Sequence, residues 1–69
     1  MSTLTERERE TLANYSADLY AELSRMTVKQ LRTYANQHRV ALGGASAKSA
    51  IISEIVGQLR NRRLIEMEG

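Results

Sequence analysis

The sequence predicts an all-α fold of three helices, and three observations predict it. Apolar residues recur at helical spacing in three separate stretches. Residue pairs typical of helix N-termini precede the first two stretches. Proline and cysteine are absent and the only aromatic residues are three tyrosines, which does not favour a β-rich or disulfide-stapled fold. We predict helices near residues 5–24, 28–38 and 47–62, with an extended link at residues 39–45.

The first predicted helix combines an apolar seam with an acidic surface. Either Thr3 with Glu6 or Thr5 with Glu8 forms a capping box at its start. Its apolar residues follow one another at spacings of three and four: Leu12, Tyr15, Leu19, Leu23 and Met26. Two interpretations stay open, since the seam can cover the core of the following helices or form a short coiled-coil homodimer. Packing within the chain is favoured because two heptads are short for a coiled coil.

The second predicted helix leads into an extended link. Thr27 and Gln30 form a second capping box. After Arg39 the apolar spacing changes from helical to alternating, at Val40 and Leu42, which indicates extended backbone. The expected shared core, with Leu19 and Leu23 packed over it, consists of Leu31, Val40, Leu42, Ile51, Ile55 and Leu59, and Tyr34 is also expected on the apolar face.

The third predicted helix follows a glycine turn. Gly43 and Gly44 interrupt the extended segment, and Ser46 is expected to cap the helix that follows. With 69 residues, the chain is expected to form one domain. We divide it into an N-terminal amphipathic helix that packs on or extends the module (residues 1–25), the two-helix module (residues 26–63) and a short tail (residues 64–69).

The module contains three short motifs that occur in a known superfamily. They are Thr-Val-x-x-Leu-Arg-x-Tyr-Ala from Thr27, Val-x-Leu from Val40, and Lys-x-x-Ile-Ile-x-x-Ile from Lys48. This pattern resembles the helix–extension–helix superfamily, which includes SAP domains, LEM-like domains and the N-terminal domain of the Rho termination factor. Arg39 stands where SAP domains usually have glycine, and the Val40-to-Lys48 spacing is more like that of Rho N-terminal-like domains. The resemblance implies nucleic-acid binding through the helices and the link, although some relatives bind proteins.

The charge is unevenly distributed along the chain. The net charge is +2, yet residues 1–24 contain five acidic and two basic groups, whereas residues 25–65 contain eight basic groups and one acid, Glu54. Such a basic stretch favours an anionic partner such as a phosphate backbone. The alternative is that these side chains only solvate helix faces.

The glycine turn and the helix start after it suit a phosphate. Gly43 and Gly44 let the backbone approach a ligand closely, and the N-terminus of a helix favours an anion. Lys48 lies in the first turn, against the preference of the helix dipole, which indicates a ligand. The predicted nucleic-acid-binding residues are Lys29, Arg32, Arg39, Gly43, Gly44, Ser46, Lys48, Arg60, Arg62 and Arg63. No exposed row of aromatic residues is expected, so we predict backbone contacts with little base readout.

The sequence favours a binding module over an enzyme. His38 is the only histidine and Asp18 the only aspartate, so we expect no catalytic residues, no metal site and no cofactor. We expect a small protein that binds duplex DNA without sequence specificity, in an architectural or regulatory role, with RNA as a second target. The alternative is a protein-interaction adaptor or a small phage-type inhibitor.

Partners and location are expected to follow from this function. We expect neither a membrane nor a small-molecule substrate as partner, and the N-terminal helix offers a surface for a homodimer or a protein partner. No stretch has the length of a membrane span or the form of a signal peptide, so a cytoplasmic protein of a prokaryote or phage is expected.

Overall fold

Three α-helices make up the described structure, as the sequence predicts. The computed structural model describes residues 4–68. Helix α1 is Glu6–Leu23, α2 is Val28–Gln37 and α3 is Lys48–Glu68, and no strand occurs within residues 4–68. The all-α class is therefore confirmed. We call residues 38–47, which join α2 to α3, the link.

Capping boxes begin the first two helices. In α1, Thr5 Oγ1 accepts a hydrogen bond from the Glu8 N–H at 3.2 Å, and the Glu8 carboxylate accepts one from the Thr5 N–H at 3.1 Å. The same exchange at α2 joins Thr27 to Gln30 at 3.2 and 2.9 Å. Each box satisfies two N–H groups that have no partner inside a helix. The competing pair that begins at Thr3 lies outside the described residues.

Helix α2 ends in a Schellman motif with an arginine in the left-handed conformation. The Val40 N–H donates to the Ala35 carbonyl at 2.8 Å, and the Arg39 N–H donates to the Asn36 carbonyl at 3.2 Å. Arg39 has a φ of 55°, which glycine adopts at lower cost.

The link runs back along α3 after this motif. The Gln58 side chain pairs with both backbone polar groups of Ala41: it accepts from the N–H at 3.1 Å and donates to the carbonyl at 2.5 Å. A turn then closes with a bond from the Ala45 N–H to the Leu42 carbonyl at 3.1 Å. Gly43, inside this turn, has a φ of 59°. Gln58 therefore supplies the bonds that a neighbouring strand supplies in a sheet.

Helix α3 differs from its predicted bounds at both ends. Its first backbone bond runs from the Ile51 N–H to the Ala47 carbonyl at 3.0 Å, so Ala47 occupies the N-cap position and the cap predicted at Ser46 falls one residue early. The helix continues to Glu68, six residues past the predicted end. Residues 64–68 are thus helical rather than a separate tail, because no glycine or proline interrupts them and Leu64 and Met67 are half-buried. Gly69 lies outside the described residues.

The core lies where α1, α2 and the link meet α3. Leu31 and Ile55 are fully buried, whereas Leu42, predicted in the core, is only half-buried at its edge. Ser24 lies beside Lys48, and Tyr15 beside Arg63, so α1 runs antiparallel to α3. This arrangement supports packing of the α1 seam within the chain. The buried cluster comprises Leu19, Leu23, Leu31, Ala35, Val40, Ile51, Ile52, Ile55, Val56 and Leu59.

Candidate nucleic-acid interface

The structure separates the seven predicted basic site residues into two groups. Three make contacts within the fold: Lys48, Arg62 and Arg63. The side chains of the other four are exposed and have no hydrogen-bond or charge partner among residues 4–68: Lys29, Arg32, Arg39 and Arg60. The residues of the second group are the stronger candidates for binding a ligand, because their charges make no contact within the described fold.

Lys48 holds the C-terminal end of α1. Its Nζ donates to the Ser24 carbonyl at 2.8 Å, and Ser24 is the C-cap of α1. A cation there complements the negative end of the α1 dipole and satisfies a carbonyl without a partner in the helix. This contact accounts for a lysine at the start of α3, where the dipole of α3 itself disfavours it. Its position therefore does not require a ligand.

Arg62 holds the C-terminal end of α2 in the same way. Its guanidinium donates to the carbonyl of His38, the C-cap residue, and to the carbonyl of Arg39 at 2.5 Å. The planar guanidinium presents parallel donors, which a single lysine ammonium lacks. Through these bonds, Arg62 holds the first two residues of the link against α3.

Arg63 and Arg60 lie apart from this contact. The Arg63 guanidinium lies 5.0 Å from the centroid of the Tyr15 ring, a cation–π contact with α1. Successive helical residues are about 100° apart, so Arg62 points about 160° away from Arg60 around α3, whereas Arg60 and Arg63 are only about 60° apart. The predicted Arg60–Arg63 group is therefore divided, because Arg62 bonds to the link while Arg60 and Arg63 lie on another side of α3 and Arg63 contacts Tyr15.

The glycine turn lies next to Arg32. Both Gly43 and Gly44 are exposed, and a Cβ added to either would meet no atom within 4 Å. An open depression of about 410 Å³ is lined by Arg32, Leu42, Gly43, Gly44, Ala45 and Ser46. Four predicted site residues thus share one surface. The positive φ explains Gly43, whereas nothing in the structure explains Gly44.

A second depression, of about 330 Å³, lies on another side of α2. It is lined by Met26, Lys29, Gln30, Thr33, Tyr34 and Gln37. Tyr34 is half-buried against the core, as predicted, and its ring centroid lies 4.2 Å from that of His38 with the planes inclined by 30°. Burial raises the pKa of the Tyr34 hydroxyl above its usual value, and the negative charge of Glu22 raises it further. Lys29 therefore faces a different depression from Arg32.

The roles of Gln58 and Arg62 in holding the link were missed by sequence reasoning. Their partners lie 17 and 24 residues away in the chain, so no local spacing indicates the contacts. One signal was available for Gln58, since it lies beside Leu59 and three residues after Ile55, at the edge of an apolar face. A half-buried amide in that position needs hydrogen-bond partners.

Two other kinds of site have no candidates in the described part of the chain. Residues 4–68 contain no group of three His, Asp or Glu side chains that could hold a metal ion. None of the three helices, as far as they are described, has the length and hydropathy that crossing a bilayer requires.

Comparisons of the chain with protein-family models, curated protein sequences and solved structures found no match. The resemblance to the helix–extension–helix superfamily therefore stays a prediction.

Proposed function

We propose that this chain is a small nucleic-acid-binding module that holds the phosphate backbone of duplex DNA with little sequence preference. Its role would be architectural or regulatory. The observation that carries the proposal is that four of the predicted site residues are cations that are exposed and have no partner among residues 4–68: Lys29, Arg32, Arg39 and Arg60. We call them the free cations.

Arg39 gives this proposal a second support. A non-glycine residue in the left-handed region costs about 1–2 kcal/mol, and the side chain of Arg39 makes no hydrogen bond or ion pair within residues 4–68 that would offset this cost. Costly conformations in native proteins are concentrated at functional sites. An arginine kept at such a position is consistent with a role toward a ligand.

The mechanism would be charge neutralisation. Each free cation that contacts a phosphate releases condensed counterions from the DNA. The logarithm of the binding constant therefore falls by about 0.9 per contact for each tenfold increase in salt concentration. Arg32 would bind beside the Gly43–Gly44 turn, where no Cβ obstructs a phosphate. The resemblance to SAP and Rho N-terminal-like domains favours the same kind of partner.

The test is a titration on duplex DNA, single-stranded DNA and RNA at low salt, repeated at rising salt. Arg32→Ala should weaken duplex binding about equally on unrelated sequences and lower the salt slope by about 1. Arg7→Ala is the matched control, because it removes the same charge from the exposed surface of acidic α1. Absence of any nucleic-acid binding at low salt, or equal effects of the two variants, would overturn the proposal.

A protein-interaction adaptor is the second candidate. Among residues 4–67, two large apolar side chains are exposed: Tyr20 at 45% on α1 and Ile65 at 61% on α3. Apolar contacts depend little on salt. A partner whose affinity is unchanged from low to high salt, and is reduced by Ile65→Ser, would favour this candidate over the first.

A further inference from the structure

We propose that the depression beside Tyr34 is a nucleobase site, which takes one unpaired base of a single strand. The inference rests on the proposed function and deepens it, because it adds base stacking to backbone binding. Its residues are Met26, Lys29, Gln30, Thr33, Tyr34 and Gln37, on a different side of α2 from the depression next to Arg32.

The shape and lining of the depression suit a planar ring. Its volume of about 330 Å³ lies at the lower end of the range for small-ligand sites, which are mainly apolar with a few polar groups. The Tyr34 ring and the Met26 side chain are half-buried and pack against the core, so the apolar part of the surface is held in place. Tyr34 is also fixed by its contact with the His38 ring.

The polar groups suit the edge of a base. The Gln37 amide is exposed and has no partner among the described residues, so its donor and its acceptor are both available. A glutamine amide can pair with two adjacent polar groups of an adenine. The side-chain amide oxygen of Gln30, by contrast, already accepts a hydrogen bond from the Thr27 N–H in the capping box.

The charges suit a neutral base whose phosphate lies outside. Glu22 places negative charge near the Tyr34 hydroxyl, which disfavours an anion beside that hydroxyl. Lys29, one of the free cations, lines the depression and is available for the adjoining phosphate. A nucleotide presents this combination: a neutral aromatic ring joined to an anion. A peptide carrying an apolar side chain would use the ring but neither Lys29 nor the Gln37 amide.

The experiment measures affinity for one oligonucleotide, first as a single strand and then as a duplex, with three variants of the whole chain. Tyr34→Leu keeps apolar volume but removes the ring, and should weaken single-strand binding roughly tenfold, the usual size of one stacking contact. Duplex binding should stay unchanged. Tyr34→Phe keeps the ring and should bind like the parent. Tyr20→Leu is the matched control on α1 and should have no effect.

A direct readout covers the case in which Tyr34→Leu folds poorly. Adenosine monophosphate added to the parent protein should shift the NMR signals of the Gln37 side-chain amide and the Tyr34 ring, while those of Tyr20 stay in place. Gln37→Ala should weaken this binding. If neither signal moves, or if Tyr34→Leu and Tyr34→Phe weaken single-strand and duplex binding alike, the inference is wrong.

The outcomes separate this inference from the proposed function. Duplex binding that depends on Arg32, with no effect of Tyr34→Leu on single strands, overturns the inference alone. Single-strand binding that depends on Tyr34, without duplex binding, overturns the preference for duplex DNA and supports the base site. An apolar peptide that shifts the same NMR signals, when no nucleotide does, makes the depression a protein-docking site and overturns the inference.

Discussion

The two ends of the link are held in different ways. At the first end, residues 38–41, Arg62 and Gln58 of α3 bond to the carbonyls of His38, Arg39 and Ala41 and to the Ala41 N–H. At the second end, residues 42–46, a single backbone bond closes the turn at Gly43–Gly44. Arg62 thus bonds to the backbone of the first end, whereas Arg32 lies beside an open depression at the second end.

This difference shows that a basic residue cannot be assigned to a ligand from its charge alone. Lys48 and Arg62 both come from α3, and each bonds to the C-terminal carbonyls of an earlier helix. Helix C-termini attract cations as a phosphate does, because both present negative charge and lone pairs. The residues available for a partner are those left after the helix ends have been satisfied.

The largest expected effect comes from the core beneath both ends. Ile55→Ala should lower the free energy of unfolding by about 2–5 kcal/mol, because Ile55 is fully buried and leaves a cavity. Chemical denaturation followed by circular dichroism measures the change, with the exposed Ser53→Ala on the same helix as control. Amide exchange should rise at both ends of the link. A parent-like denaturation curve would contradict the assigned core.

Removing the arginine at the first end should have a smaller and local effect. Arg62→Ala should cost about 0.5–1.5 kcal/mol, because it removes the charged donor of two exposed carbonyls where α2 ends. Exchange of the Val40 N–H should accelerate, whereas that of the Ala45 N–H in the glycine turn should not. The control is Arg60→Ala, which removes the same charge from the same helix; equal losses for the two variants would contradict the described role of Arg62.

Relaxing the backbone at the first end should stabilise the chain. Arg39→Gly should raise the free energy of unfolding by about 0.5–1 kcal/mol, since glycine adopts a φ of 55° without strain but gives the unfolded chain more freedom. Gly57→Ala serves as calibration, because Gly57 lies inside α3 with open space around it and should gain about 1 kcal/mol. A destabilised Arg39→Gly would mean that the arginine side chain has a structural partner.

Arg39→Gly also tests the proposed function, because its expected effects on stability and on DNA binding have opposite signs. If Arg39 contacts phosphate, Arg39→Gly should weaken DNA binding and lower the salt slope by about 1 while stability increases. A purely structural residue would not combine a gain in stability with a loss of binding. Unchanged affinity would remove Arg39 from the candidate interface.

Local features of the fold could be predicted and tertiary ones could not. The capping box of Thr27 and Gln30 involves residues three apart, so its spacing is visible in the sequence, and the glycine turn is equally local. The contacts of Lys48 and Arg62 depend on how α3 packs against helices that end 24 residues earlier. A spacing rule within one helix carries no information about them.

The misplaced end of α3 has a different cause. The run of arginines at residues 60–63 is typical of a last helical turn, because cations there complement the dipole. Here Arg62 contacts the start of the link and Arg63 contacts α1, so the helix has no reason to end beside them. The helix continues to Glu68, and Leu64 and Met67 in its last turns are half-buried.

The smallest expected effect on stability tests the second end of the link. Arg32→Ala should change the free energy of unfolding by no more than about 0.5 kcal/mol, because the arginine is exposed and has no partner within residues 4–68. The measurement is the denaturation experiment used for Arg62→Ala, under identical salt. Lowering the salt should not enlarge the effect, since no nearby helix end depends on this charge. If Arg32→Ala proved as costly as Arg62→Ala, a cation would hold each end of the link, and Arg32 would no longer count among the free cations.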